Sequence, residues 1–199
     1  MNKAVLFDLD GVLVDACDWH YESLNRALDK VAGYTISRED HISTYNGLPT
    51  DVKLSALVEK GAIKEKYLPT ISKLKQELTL EVIEDLCVVD NSKIQLMRKL
   101  TQEGYKIACV TNCIRKTALL MLKKIGVLEY LDCIVSNEDV DKAKPHPEGY
   151  LKAMILLETV PANTIIVEDS PKGIQAAKQS GAKVVVVANA TQVTENINL

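Results

Sequence analysis

The chain has 199 residues, of which 47% are hydrophobic, 26% charged and 5% aromatic. That balance excludes a disordered chain, and the length suits one core with a single inserted subdomain. With 24 basic and 27 acidic residues the net charge is −3 and no long basic run occurs, so neither nucleic acid nor an anionic membrane surface is expected as a partner.

Ala4-Val5-Leu6-Phe7 reads as a buried strand. Asp8 and Asp10 interrupt the apolar stretch that follows it, which is not the pattern of a signal peptide. From about Asp15 to Asp85 there are helix signals and no convincing strand. Asp18 is expected to cap a helix carrying Leu24, Ala27, Leu28 and Val31 that ends at Gly33. Ser37 with Asp40 resembles a capping box. Thr50 is expected to cap a helix with Leu54, Leu57 and Val58 that ends at Gly61, and a further helix covers the Lys64–Leu78 region.

After this run, strands and helices alternate. Strands are expected at 106–110, 132–135, 164–167 and 184–188. Ile94, Met97 and Leu100 share a helix face before Gly104; Leu119, Leu122 and Ile125 do so before Gly126. Ser170 and Pro171 supply an N-cap and a first-turn proline, and Gly181 ends that helix. Short β-branched runs alternating with helices indicate a doubly wound parallel sheet of the α/β class. The expected organisation is a core of residues 1–14 and 86–199 with an inserted α-helical domain over 15–85. The five cysteines contain no C-x-x-C pair and read as reduced thiols of a cytoplasmic protein, four of them among apolar neighbours. No segment approaches the roughly 18 apolar residues needed to span a bilayer.

Chemistry gathers at the ends of the strands. Asp8 and Asp10 follow the first strand and point the same way by strand periodicity. Two adjacent anions repel, so one is protonated or a cation lies between them, unless the pair is a solvated acidic turn. Glu168 and Asp169 end a second strand before a well-formed helix start, where an acid also serves the helix dipole. Converging oxygen ligands with little else suit Mg2+. Thr111-Asn112 offers a hydroxyl, an amide and main-chain N–H groups before a helix, which is both a phosphate-binding layout and a helix cap. Lys144 stands before a proline-rigidified turn as a point charge suited to phosphate.

In order, Phe7-Asp8-Leu9-Asp10-Gly11-Val12-Leu13-Val14-Asp15, Thr111-Asn112, Lys144-Pro145-His146-Pro147 and Val167-Glu168-Asp169-Ser170-Pro171-Lys172-Gly173-Ile174 resemble the four motifs of the haloacid dehalogenase superfamily of phosphohydrolases. The helical insertion after the first motif is similar to the small cap of the subclass that includes phosphoglycolate phosphatase and β-phosphoglucomutase. The resemblance implies a Rossmann-like core and a Mg2+-dependent phosphatase of a small phosphorylated metabolite. Asp8 would be the nucleophile and form an aspartyl-phosphate, and Asp10 the general acid and base. Asp8, the main-chain carbonyl of Asp10, and Asp169 would hold Mg2+, with Glu168 near it. Thr111, Asn112 and Lys144 would bind phosphoryl oxygens, and His20 matches a histidine common early in the cap.

The second acid, Asp10, sets the chain apart from dehalogenating members of the superfamily. The runner-up is a β-phosphoglucomutase-like phosphotransferase, and a phospho-ligand-binding module without catalysis comes after it. In the turn Gly47-Leu48-Pro49-Thr50-Asp51, Thr50 stands where sugar-phosphate mutases carry an arginine, which favours the phosphatase. His20, Asn46, Thr50 and Lys53 are the expected selectors of substrate. A monomer is expected.

Overall fold

A computed structural model describes residues 2–45 and 48–199. Asn46 and Gly47 of the expected substrate-selecting turn lie outside the described residues. The chain divides into two compact units, residues 1–15 with 87–199, and residues 16–86.

The first unit is built on a five-stranded parallel sheet of order β3-β2-β1-β4-β5. The strands are β1 (Lys3–Phe7), β2 (Tyr105–Val110), β3 (Cys133–Val135), β4 (Thr164–Glu168) and β5 (Lys183–Val186). It is the doubly wound α/β fold read from the sequence. Helices α5 (Asn91–Gln102), α6 (Arg115–Lys124), α7 (Glu148–Leu156) and α8 (Pro171–Gln179) connect the strands. Ala4, Leu6, Ala108, Val110, Val135 and Ile166 form a buried cluster with Tyr150, Ala153 and Met154 of α7 and Ala176 and Ala177 of α8. The alternate residues Val5, Phe7, Ile107, Cys109 and Val167 are also buried and point to the opposite face, as a sheet covered on both sides requires.

β1 is the central strand, and Phe7 lies level with Cys109 of β2 and Val167 of β4. The chain winds outward through β2 and β3, then returns to the other side of β1 at β4. Ligands of open α/β sheets bind beyond the carboxyl ends of the strands where the order reverses, which here is the rim shared by β1, β2 and β4.

Local signals set most boundaries. Ser170 accepts from the N–H of Gly173 at 3.1 Å and starts α8 with Pro171 behind it. Asp90 caps α5 by accepting from the N–H groups of Ser92 and Lys93. Lys93, expected on no core face, is buried on α5 because its ammonium donates to the Ala190 carbonyl at 2.7 Å and ties down the C-terminal segment. α7 has no counterpart among the expected helices.

The second unit is helical. α1 (Cys17–Ala32), a single turn α2 (Arg38–Asp40) that runs into a π-helix at His41–Tyr45, α3 (Thr50–Glu59) and α4 (Leu68–Leu86) surround Leu24, Ala27, Leu28, Leu54, Leu57 and Ile71. Ser37 accepts from the N–H of Asp40, which is one of the two bonds of the expected capping box, and its hydroxyl donates to the Asp40 carboxylate in place of the second. Two expected caps move by a residue or two. Ala16 precedes α1 and Asp18 sits inside its first turn, where it favours the helix dipole and pairs with Arg38. Pro49 precedes α3 and Thr50 is its first helical residue. α4 runs eight residues past the expected Leu78 because Val82 and Ile83 continue the buried stripe of Ile71, Lys75 and Thr79.

Candidate active site

Asp8 is the first residue beyond β1, and its N–H donates to the Val167 carbonyl at 3.1 Å, which extends the β1–β4 ladder by one rung. Gly11 then turns the chain with φ +85°, a conformation open to glycine. A Cβ at this position would also overlap the carboxylate of Asp169. The turn that follows β1 thus lies directly against Asp169, the first residue beyond β4.

Lys144 is the hub. Its ammonium donates to Asp8 Oδ1 at 2.6 Å, to Glu168 Oε1 at 2.7 Å and to the Val110 carbonyl at 2.8 Å. A residue 136 positions away in sequence therefore meets the ends of β1, β2 and β4 at one atom. The Lys144–Pro145 peptide is cis. Burial works against the charge on Lys144, yet the carboxylates of Asp8 and Glu168 outweigh it and hold the ammonium well above its ordinary range.

Glu168 has no exposed surface. Its Oε1 also accepts from the Tyr150 hydroxyl at 2.7 Å, and its Oε2 accepts from the N–H of Asp169 at 3.0 Å, the N–H of Ser170 at 3.2 Å and the Ser170 hydroxyl at 3.1 Å. Burial raises its pKa, but Lys144 and these donors prevail and hold it below the usual range. A Cβ at Gly173 would overlap this carboxylate, so only a glycine lets α8 come so near.

Two acids go the other way. Burial pushes Asp8 up to about 8, with Glu168 and Asp10 adding to it against the pull of Lys144. Burial, together with Glu168, pushes Asp169 up to about 6. Asp8, Glu168 and Asp169 all feel the charge of Lys144, and Asp10 adds a fourth carboxylate beside them. Asp8, Glu168 and Asp169 each bring an oxygen within 4.8 Å of the others, and Asp169 Oδ1 is buried without a hydrogen-bond partner among the described residues. Excess negative charge and a bare inward-facing oxygen fit a divalent cation with oxygen ligands. Both oxygens of Glu168 are engaged by protein donors, so Asp8 and Asp169 have the readier ligand atoms.

The remaining expected residues fall into three places. Thr111 is buried after β2, its N–H donating to the Val135 carbonyl and its hydroxyl accepting from the N–H of Cys113 at 3.0 Å. Asn112 accepts from the Lys144 N–H at 3.0 Å and donates to the Lys144 carbonyl at 3.2 Å, so its amide fixes the Lys144 segment. Asp10 accepts at Oδ2 from the Cys113 thiol at 2.9 Å. His20 belongs to the helical unit, half-buried on α1. Thr50 and Lys53 are on α3 of that same unit.

Tyr150, Cys113 and Gly173 contact these residues without having been assigned a part from the sequence. For Tyr150 a signal exists: an aromatic hydroxyl beside Ala153 and Met154 must find a partner once buried. None of the five cysteines forms a disulfide, and only Cys87 and Cys109 are buried. Cys113 and Cys133 are half-buried because both lie near strand ends, and Cys17 is half-buried at the start of α1.

Fold and site together define an α/β enzyme whose carboxylates and lysine meet at the rim of a parallel sheet. Residues 5–187 match the family of haloacid dehalogenase-like hydrolases, and the chain belongs to that family. It is a hydrolase of the phosphatase class. It is 30% identical over 180 residues to the phosphorylated carbohydrates phosphatase of Thermotoga maritima, covering 90% of this chain and 82% of that one. It is 31% identical over 188 residues to the pyrophosphatase PpaX of Halalkalibacterium halodurans, covering 94% and 84%. Its fold is similar to that of the β-phosphoglucomutase of Clostridium difficile, with a TM-score of 0.80 at 24% identity over 98% of this chain and 94% of that one. No helix among the described residues is long and apolar enough to cross a membrane.

Proposed function

We propose that this chain is a Mg2+-dependent phosphatase of small phosphorylated metabolites, with phosphorylated carbohydrates as the first class to test, acting as a cytoplasmic monomer. The observation that carries the reading is the junction of Asp8, Lys144, Glu168 and Asp169 at one rim of the sheet. The names of the Thermotoga and Halalkalibacterium relatives agree with it.

In this reading an Asp8 carboxylate oxygen attacks phosphorus. The ester P–O bond breaks with its electron pair going to the leaving oxygen, which takes a proton from Asp10. Asp10, now ionised, removes a proton from water, and that water attacks the aspartyl-phosphate. The Asp8 carboxylate is released and Asp10 holds a proton again. Such acid–base assistance is typically worth about 10²–10⁴-fold. Lys144 and the Thr111 hydroxyl hold the phosphoryl oxygens, and Asn112 holds Lys144. Asp8, Asp169 and the Asp10 carbonyl, with Glu168 beside them, would hold Mg2+, which would supply the positive charge that an ionised Asp8 needs to approach a phosphate dianion.

The phosphotransferase reading is the weaker one, because Thr50 offers no fixed positive charge for a second phosphate. The test is release of p-nitrophenol from p-nitrophenyl phosphate, and of phosphate from a panel of sugar and organic-acid phosphates, with Mg2+ or with EDTA. Turnover is expected with Mg2+, lost in EDTA and lost in Asp8→Asn. No release in the Mg2+ sample, or an active Asp8→Asn, overturns the reading.

A further inference from the structure

We infer that Tyr150 is a positioning residue for Lys144, acting through the one carboxylate oxygen that the two side chains share. The inference rests on the phosphatase reading of this same site. Tyr150 has no exposed surface and sits inside the sheet–α7 core, yet its hydroxyl reaches the rim and donates to Glu168 Oε1 at 2.7 Å. Lys144 donates to the same oxygen at the same distance. The Lys144 ammonium also lies 4.7 Å from the centroid of the Tyr150 ring, within range of a cation–π attraction. One side chain therefore touches both members of the ion pair.

An ammonium has three N–H groups, and those of Lys144 already meet Asp8 Oδ1, Glu168 Oε1 and the Val110 carbonyl. To engage a phosphoryl oxygen Lys144 must release or share one of these three. Releasing Asp8 would separate nucleophile and cation, and releasing Val110 would strand a buried carbonyl. Releasing Glu168 Oε1 strands a buried carboxylate oxygen unless another donor remains on it, and Tyr150 is that donor. With Tyr150 in place the lysine can turn toward substrate while Glu168 stays satisfied. Without its hydroxyl, Oε1 depends on Lys144 alone and retains it. The ring contact keeps the ammonium over the same spot during the exchange.

Tyr150→Phe separates the two contributions, since it keeps the ring and the packing and removes only the donor. With p-nitrophenyl phosphate, measured well below the variant's own unfolding midpoint, kcat is expected to fall about tenfold while KM stays within threefold of wild type. A packing role alone would leave kcat unchanged in the folded variant. A kcat within twofold of wild type overturns the inference. If the wild-type protein itself releases no p-nitrophenol, the phosphatase reading fails and the coordinates of Tyr150→Phe decide this one separately. A shift of Lys144 Nζ toward Glu168 and away from Asp8 upholds it, and an unmoved Lys144 refutes it.

Discussion

The side-chain amide of Asn112 closes a ring with the main chain of Lys144, accepting from its N–H at 3.0 Å and donating to its carbonyl at 3.2 Å. The loop after β2 and the segment before α7 are clasped at two points, 32 residues apart in sequence. Each bond is worth about 1 kcal/mol net. Asn112→Ala should therefore lower unfolding free energy by about 1–2 kcal/mol and reduce turnover of p-nitrophenyl phosphate. Asn112→Asp should do worse, because a carboxylate can accept from the Lys144 N–H but faces its carbonyl with no donor. Urea midpoints and initial rates of both variants check this. Equal activity in all three proteins would leave the clasp without a catalytic part.

Gly173 reverses the usual rule for helices. Alanine is favoured over glycine inside a helix by about 1 kcal/mol, so an unconstrained exchange stabilises. At Gly173 the added Cβ would overlap the Glu168 carboxylate, and overpacking typically costs about 1–3 kcal/mol. Gly173→Ala should therefore lower the melting temperature and reduce activity more than tenfold by moving the acid that holds Lys144. A variant as stable and active as wild type would show that α8 yields without disturbing Glu168.

Cys113 holds the other carboxylate of the first motif. Its thiol donates to Asp10 Oδ2 at 2.9 Å. Burial pushes the thiol up, and the Asp10 charge pushes it further, so it keeps its proton and remains a donor. Cys113→Ser keeps a donor and Cys113→Val removes it at similar volume. We expect kcat within threefold of wild type for the serine and about tenfold lower for the valine, the latter about 1.4 kcal/mol of barrier, with similar melting temperatures. Equal rates for serine and valine would show that the donor does not matter.

How far the sequence announces this arrangement depends on range. Short β-branched runs identify the five strands, and Asp8, Thr111 and Glu168 are visible as candidates because each follows or ends one. Lys144 is visible through its prolines. The same prolines conceal α7, since a segment rich in turn residues gives no helix signal before Glu148. The parts played by Cys113 and Gly173 are absent from any local pattern, and for Tyr150 the sequence signals only that its hydroxyl needs a partner, because each depends on which strand end lies opposite. Asn112 reads as a phosphate ligand locally, and only the folded chain shows its amide turned to Lys144. Caps drift for a similar reason: Asp18 and Thr50 are good caps by type, but the turns before α1 and α3 begin those helices earlier than Asp18 and at Thr50 itself.

The helical unit carries its own pH response at His41. The ring has no exposed surface, lies 3.8 Å from the Cys17 thiol by Nε2, and stacks tilted on Tyr21 with centroids 5.0 Å apart. Burial lowers its pKa to about 4, helped by the charges of Lys53 on α3, Arg38 on α2 and His20 on α1, with Asp18 weakly opposed. In the unfolded chain a histidine titrates near ~6.5. Below that pH the unfolded state takes up a proton that the folded state refuses, so stability is lost as pH falls. The contribution is complete above about 6.5 and gone below about 4. Each pH unit in that window corresponds to about 1.4 kcal/mol at most. His41→Phe keeps a ring of similar size and removes the titration. The difference in unfolding free energy between wild type and His41→Phe, taken from pH 7.5 to 4.5, should therefore move against the wild type as the solution is acidified. A difference that stays flat across this range would mean that His41 is protonated in the folded chain as easily as in the unfolded one.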